Sequence, residues 1–381
     1  MKVSVVHPSE LGPAEIATWR SIQMSVPELA SPFLSPEFTV AVGDLRQRAR
    51  VAVISEGPDI VGFFPYERRK WGLGTPICSG HNDSHGVVAS ADVDWNPQQL
   101  LSACGLEVWE FDHLVSGQPS FDHHVKSRVP SPVMDLAGGF DCFVTHLRRR
   151  KSKFRELTRT TNKLVREHGD VRFVFESHDI EALHTVMSWK SAQYLRTGWV
   201  DRFATRFMVE LLERLQHTQS GTFSGVLSML YAGDVPVAGH FGLRAGQTMS
   251  LWFPSYDIGF RSYGPGLIMN FHLAEIACAA GVRTVDMGPG PEEYKQWFRS
   301  RDLHVARGRV VRKSPRGGWH WLKAASTDRL HDVVLRNPAL HRGAQRARAG
   351  YVRTDSALRR VASTCGPQTT AGKTVSRGGW R

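Results

Sequence analysis

The chain has no apolar run approaching the roughly 18 residues of a membrane-spanning helix, and none follows the lysine near its start. Neither a span nor a secretion signal is expected. Its five cysteines, Cys78, Cys104, Cys142, Cys278 and Cys365, are odd in number, widely spaced and free of any Cys-x-x-Cys pair. That argues against a disulfide framework and a zinc knuckle, and it suits a reducing cytoplasm. No helical His-x-x-x-His carries a glutamate, so the histidines near Gly80 to Gly86, at His113 and at His123-His124 read as loop residues lining a cleft between two halves, with no metal.

A nucleic-acid signal is also missing from most of the chain, despite a formal charge of +12. Residues 312–381 hold 15 of the 48 Lys/Arg and 3 of the 36 Asp/Glu, which leaves 33 of each sign in residues 1–311. The body is formally neutral and the charge belongs to an extension, so no specific nucleic acid is expected for the core.

At 381 residues, 41% of them hydrophobic, the chain is long enough for two cores. Residues 1–140 carry short strand signals at Val51–Ile54, Ile60–Phe64 and Leu106–Phe111, with helices at Pro13–Ser25 and from Ser31-Pro32. Residues 141–311 open with a basic stretch, His146–His168, whose Leu147, Phe154, Leu157 and Leu164 draw one apolar stripe on a helix. A strand at Val171–Phe175 and helices at Ile180–Thr197 and Ala204–Gln216 follow. Strands at Thr222–Tyr231, Val235–Leu243 and Thr248–Tyr256 are separated by glycine turns. A helix at Leu267–Ala280, apolar on nearly every side, and a strand at Thr284–Met287 complete a mixed α/β pattern. Residues 312–381 read as a basic extension, helical at first and disordered over the last twenty or so.

The most informative stretch is Arg261-Ser262-Tyr263-Gly264-Pro265-Gly266, between the strand ending at Tyr256 and the apolar helix. Glycines at its fourth and sixth positions let the backbone approach a ligand, and the first turn of the helix offers unpaired N–H groups and a positive dipole end. No Walker Gly-Lys-Ser/Thr stands here, nor can Gly-x-Gly-x-x-Gly be written over it, so a pyrophosphate-bearing carrier is expected instead of a nucleoside triphosphate or a dinucleotide. Gly-Pro-Gly is equally the sequence of a plain turn. The ionisable residues nearest the motif are Asp257, Asp286, Tyr294 and Lys295. Asp257 could take a proton or cap a turn, and Asp286 could brace the Gly288-Pro289-Gly290 loop or meet substrate. His240 and Trp252, on adjacent strands, are candidate acceptor contacts, with a core position the more common place for a tryptophan, and Arg149 and Arg150 of the basic stretch belong either to a solvated face or to a phosphate-binding one.

Arg261-x-x-Gly264-x-Gly266 resembles the pyrophosphate motif of GNAT acyltransferases, where Gln or Arg-x-x-Gly-x-Gly or Ala holds coenzyme A. Tyr256-Asp257 before it and Asp286-x-Gly288-x-Gly290-x-x-x-Tyr294-Lys295 after it resemble the cellulose-biosynthesis (CelD) acetyltransferases and their FemAB-like relatives, well over residues 140–310 and less regularly over 1–140. The resemblance implies two tandem GNAT-like domains, each a mixed, mostly antiparallel sheet flanked by helices, with acetyl-CoA as co-substrate and a sugar or cell-envelope precursor as acceptor. It implies roles in catalysis for Lys295 and Tyr294. Two other readings stand beside it. One is a FemAB-like transferase drawing its donor from aminoacyl-tRNA. The other is a non-catalytic module touching nucleic acid or an anionic membrane surface through the basic extension.

Overall fold

The computed structural model describes residues 2–315 and 317–318. The expectations for the extension beyond them, including its disorder and membrane contact, lie outside the described residues.

In chain order the first part comprises β1 (Lys2–Val6), α1 (Pro13–Ser25), α2 (Pro36–Leu45), β2 (Ala49–Glu56), β3 (Asp59–Arg68), β4 (Leu73–Pro76), β5 (Val88–Ala89), α3 (Pro97–Ala103), β6 (Val108–Val115) and β7 (Val125–Asp135). The second comprises α4 (Phe140–Arg148), α5 (Lys151–His168), β8 (Val171–Val174), α6 (Ile180–Thr197), α7 (Arg206–His217), β9 (Phe223–Ala232), β10 (Val235–Ala245), β11 (Thr248–Tyr256), α8 (Pro265–Ala279), β12 (Thr284–Asp286), α9 (Glu293–Phe298) and β13 (Arg301–Val311).

One sheet runs through both parts in the order β1-β2-β3-β4-β6-β13-β7-β12-β11-β10-β9-β8, with β5 paired on β3. It is mostly antiparallel, with parallel pairs at β4–β6 and β11–β12. Its centre is an exchange. β13 pairs with β6 from Val305↔Val115 to Val311↔Val108, while β7 pairs with β12 from Thr284↔Asp135 to Asp286↔Val133. Each part therefore completes its sheet with a strand that lies beside the other.

In the second part, turns at Gly233 (φ +55°) and Gly246 (φ +52°) set β9, β10 and β11 side by side. Left-handed backbone of this kind costs a glycine nothing sterically. One face of these strands is covered by α8 together with α4 and α5, through Ile268, Met269, Leu273, Leu147, Leu157 and Leu164. The other is covered by α6 and α7, and α2 of the first part joins this layer through Phe38, Ala41 and Val42. Arg214 Nη1 meets Asp44 Oδ2 at 2.7 Å across the same contact. Each buried Leu or Met of these faces contributes on the order of 1.5–3 kcal/mol. The helix that was to present the amides is thus held on several sides.

The basic stretch is two helices, where one continuous helix was expected. Arg150 leaves helical geometry (φ −93°, ψ 64°) between α4 and α5, and its guanidinium donates to the carbonyls of Gln296 and Trp297 near the end of α9. Those carbonyls have no helical partner of their own, and a cation there also meets the negative end of the helix.

Candidate active site

β11 and β12 pair only from Thr248↔Thr284 to Ser250↔Asp286. β11 continues to Tyr256, whereas the chain after Asp286 stays with β7, Met287 N–H donating to Pro132 O at 3.0 Å. The edge of β11 from Leu251 to Tyr256 is left without a neighbouring strand on that side. At its far end a 3-10 turn, Ile258–Tyr263, leads to Gly264 in the left-handed region (φ +64°, ψ +45°) and then to Pro265 at the first position of α8. Leu267 and Ile268 N–H return to Gly264 O, Pro265 has no N–H, and Gly266 N–H has no backbone partner among the described residues. A Cβ on Gly266 would make only an ordinary contact, with Tyr256 Cδ1 at 3.9 Å.

The basic helix runs beside this loop. Tyr263 OH donates to Glu167 Oε2 (2.7 Å) and lies 3.0 Å from His168 Nε2, and Lys163 Nζ stands 4.8 Å from the Tyr263 ring centroid. The phenol pins the 3-10 turn onto α5. Arg261 and Ser262 face solvent on the turn, as do Arg155 and Arg159 on α5. Sequence spacing treated α5 and the glycine loop as separate features, and the tertiary fold makes them one surface.

Asp257 caps the 3-10 turn, its Oδ1 accepting from Gly259 N–H at 2.8 Å. Asp286 is buried. Its Oδ1 accepts from Ser131 Oγ (2.6 Å) and Gly288 N–H (2.9 Å), while burial raises its pKa against the pull of these bonds and of Lys295. Lys295 Nζ donates to Gly288 O (3.1 Å) and Pro289 O (3.2 Å) and meets Glu292 Oε2 at 2.9 Å. Its three N–H groups are taken up by its own loop, so this cation braces the 288–292 turn. Tyr294 packs against the α8 core, and burial, followed by the charges of Glu292 and Asp83, pushes its phenol upward, which keeps it a donor.

Three expected substrate contacts differ from what the structure contains. His240 is fully buried, and its Nε2 accepts from the Trp252 N–H at 3.3 Å, where a bulge leaves Trp252 without a partner on β10. Trp252 is a core residue set edge-on to Phe33 (5.2 Å) and Phe38 (5.9 Å), with its indole N–H on His81 O at 2.6 Å. Arg150 is committed to the end of α9. Of these side chains Trp252 ties the two parts together, whereas His240 and Arg150 are engaged within the second part. Arg149 is exposed on the α4–α5 corner.

Two groups that sequence reasoning did not select face the same gap. Lys190 of α6 donates to Pro254 O on the free edge of β11 at 2.9 Å, and burial, reinforced by Arg202 and Lys295, lowers its pKa to about 8. Asp83 comes from the first part, on the loop between β4 and β5. A Cβ placed on Gly288 would lie 2.9 Å from its Oδ2. Burial, followed by the charge of Asp286, raises Asp83 to about 6 against the pull of His113, Arg202 and Lys295. The sequence marks the Gly80–Gly86 stretch as a cleft loop but singles out neither Asp83 nor Lys190, because each acquires its neighbours from another element.

The loop bearing Asp83 is tightly braced. Asn82 Nδ2 donates to Ile77 O (2.6 Å), and His85 Nδ1 lies 3.1 Å from Asn82 Oδ1. His85 Nε2 accepts from the N–H groups of Asp112 and His113, so both its nitrogens are used within the fold. Burial lowers the pKa of His240 to about 3, of His81 to about 4 and of His85 well below the usual value. Each stays neutral in the native state at a pH where the unfolded chain, near 6.5, takes up a proton. Stability therefore falls as pH drops through 6.5, by up to about 1.3 kcal/mol per buried histidine between pH 7 and 5.5. Asp83, raised above its unfolded value, works in the opposite sense as pH rises through 6. Urea midpoints at the two pH values check the net fall, and His240→Gln should flatten the dependence.

No curated protein matches the chain in sequence. Among solved structures it is similar to FemX (12% identity, 81% of this chain and 96% of that one, TM-score 0.49). It is also similar to a tandem GNAT protein from the clavulanic acid biosynthesis pathway (9%, 81% and 98%, TM-score 0.46) and to a GCN5-related N-acetyltransferase from Kribbella flavida (11%, 67% and 89%, TM-score 0.36). Residues 151–296, from the start of α5 into α9, match the model of the acetyltransferase (GNAT) domain, and the chain carries an acyltransferase domain of that kind.

Proposed function

We propose that the protein transfers an acyl group from acyl-CoA, with acetyl-CoA as the reference donor, to an amino or hydroxyl group of a sugar or cell-envelope precursor in the cytoplasm. The observation that carries this reading is the N-terminus of α8, with left-handed Gly264 and a Gly266 N–H that has no backbone partner among the described residues, at the end of a strand edge that has lost its neighbour. A helix N-terminus suits a pyrophosphate. The free edge suits an extended arm carrying amides, which can pair with it as an added strand would. Coenzyme A has both parts in that order. The resemblance to CelD-like acetyltransferases supports the acceptor class.

Acyl-CoA is already activated, so the protein's main task is to orient two reactants and keep water away. Expected result: acetyl-CoA at one hundred times its Kd stabilises the protein by about 2.7 kcal/mol, seen as a rise in Tm. Free adenosine should not reproduce the shift. The exposed Arg155 and Arg159 on α5, the helix that runs beside the loop, favour one second reading, a donor carried on aminoacyl-tRNA. Indifference to acetyl-CoA together with salt-sensitive binding of aminoacyl-tRNA would select it.

A further inference from the structure

We infer that Asp83, contributed by the first part of the chain, is the group that takes the proton from the acceptor, so that the reaction centre is assembled from both parts. This rests on the acyl-CoA reading above. The carboxylate stands over the Gly288 turn, at the place where β12 has left β11, and it has no hydrogen-bond or ion-pair partner among the described residues. The acidic groups around it are engaged: Asp286 holds Ser131 and Gly288, and Glu292 holds Lys295. Its own backbone is fixed by buried Asn82 and Ser84, and His81 O is tied to Trp252 of β11. A carboxylate held rigidly, half-buried and unpaired beside the parted strands has the properties of a general base.

His113 on β6, Asp286 at the end of β12, Arg202 after α6 and Lys295 on α9 are the charges that act on Asp83, and the phenols of Tyr194 and Tyr294 feel its charge in turn. The net environment raises its proton affinity into the range useful near neutral pH. Written for an amine acceptor, the ammonium gives one proton to Asp83. The freed nitrogen attacks the thioester carbonyl, the C–N bond forms and the C–S bond breaks. The electron pair departs on sulfur, and the second nitrogen proton goes to that thiolate, giving amide and free coenzyme A. Asp83 then returns its proton to water.

The test pairs wild type with Asp83→Asn and Asp83→Glu. Acetyl-CoA is the donor, and the acceptors are a panel of primary amines (amino sugars, amino acids and polyamines), each beside its hydroxy counterpart, with coenzyme A thiol release as the readout. Expected for Asp83→Asn: Tm unchanged or raised, acetyl-CoA Kd within twofold, and kcat/KM down by about 10²–10⁴-fold. The acidic limb of the wild-type pH profile, near pH 6, should disappear, and the loss should shrink as the acceptor's own pKa falls. Asp83→Glu should recover part of the rate. Turnover of Asp83→Asn within threefold of wild type, or an acidic limb that persists in it, overturns the inference, as does acetyl-CoA binding with no acceptor of the panel turned over. Failure of the wild type to bind acetyl-CoA is seen before any acceptor is added, and it removes the acyl-CoA reading and this inference with it.

Discussion

Gly266→Glu is expected to weaken acetyl-CoA binding by at least about 100-fold while leaving the fold intact. Gly266 is the second residue of α8, where an acidic side chain is favourable for the helix and glycine is the poorer helix former by up to about 1 kcal/mol. The nearest atom to an added Cβ is Tyr256 Cδ1 at 3.9 Å, an ordinary contact, so a side chain can begin here without a clash. The new carboxylate would occupy the space above the unpaired amide. Against a phosphate about 4 Å away, repulsion near a protein surface is of order 4 kcal/mol per pair of charges, which exceeds the 2.7 kcal/mol of a 100-fold change. Calorimetric titration with acetyl-CoA and a melting curve of the same sample measure both halves of the prediction. An unchanged Kd would mean that the pyrophosphate lies elsewhere. Gly266→Ala is the companion, with an equal or higher Tm and binding reduced far less.

Glu67→Ala should destabilise the protein by about 3 kcal/mol, the largest effect expected of a single surface-distant change. Glu67 on β3 is fully buried. Its Oε1 accepts from Arg46 (2.7 Å) and from Cys78 N–H (3.0 Å), and its Oε2 accepts from Arg48. Removing the carboxylate leaves a buried N–H and two guanidinium groups without their partner. Breaking a buried pair from one side costs about 3–5 kcal/mol, and the partial exposure of Arg48 places the expectation at the lower end. Cys78 begins the loop that carries Asp83, so activity should fall with stability. Denaturant unfolding of the variant tests the first effect, and a loss of less than 1 kcal/mol would show that solvent replaces the carboxylate. Glu67→Gln, which keeps one acceptor, should fall between.

The elements that sequence reading located best are those whose signal is local. α1 and α6 occupy Pro13–Ser25 and Ile180–Thr197 as expected, and β11 occupies Thr248–Tyr256. Proline at a first turn, an aspartate cap before Ile180 and a glycine turn after Ala245 are sufficient marks for them. β7 and β13 gave no such signal. β7 contains Pro130 and Pro132, and β13 has four charged residues among its eleven, because both are stabilised by pairing with each other and with strands far away in the chain. His240 and Trp252 were chosen for their chemistry on neighbouring strands. Which face of the sheet they occupy depends on the bulge at Trp252 and on the aromatic layer supplied by α2, and neither is written near them.

By itself the sequence determined the conformation of the Gly264–Gly266 turn at the start of α8. Backbone freedom at Gly264, the proline start of α8 and the apolar helix behind it are properties of adjacent residues, and local sterics fix their conformation. It also determined that the +12 charge lies outside the neutral body. The tertiary structure decided what stands around that loop. Packing brings the basic face of α5 beside it, assigns Lys295 and Asp286 to bracing their own turn, and sets Asp83, 205 positions before Gly288, against that glycine. The physical reason is that burial and charge environment belong to a place in the fold and not to a residue type. A carboxylate's proton affinity is set by neighbours that only the exchanged strands and the shared helical layer bring together.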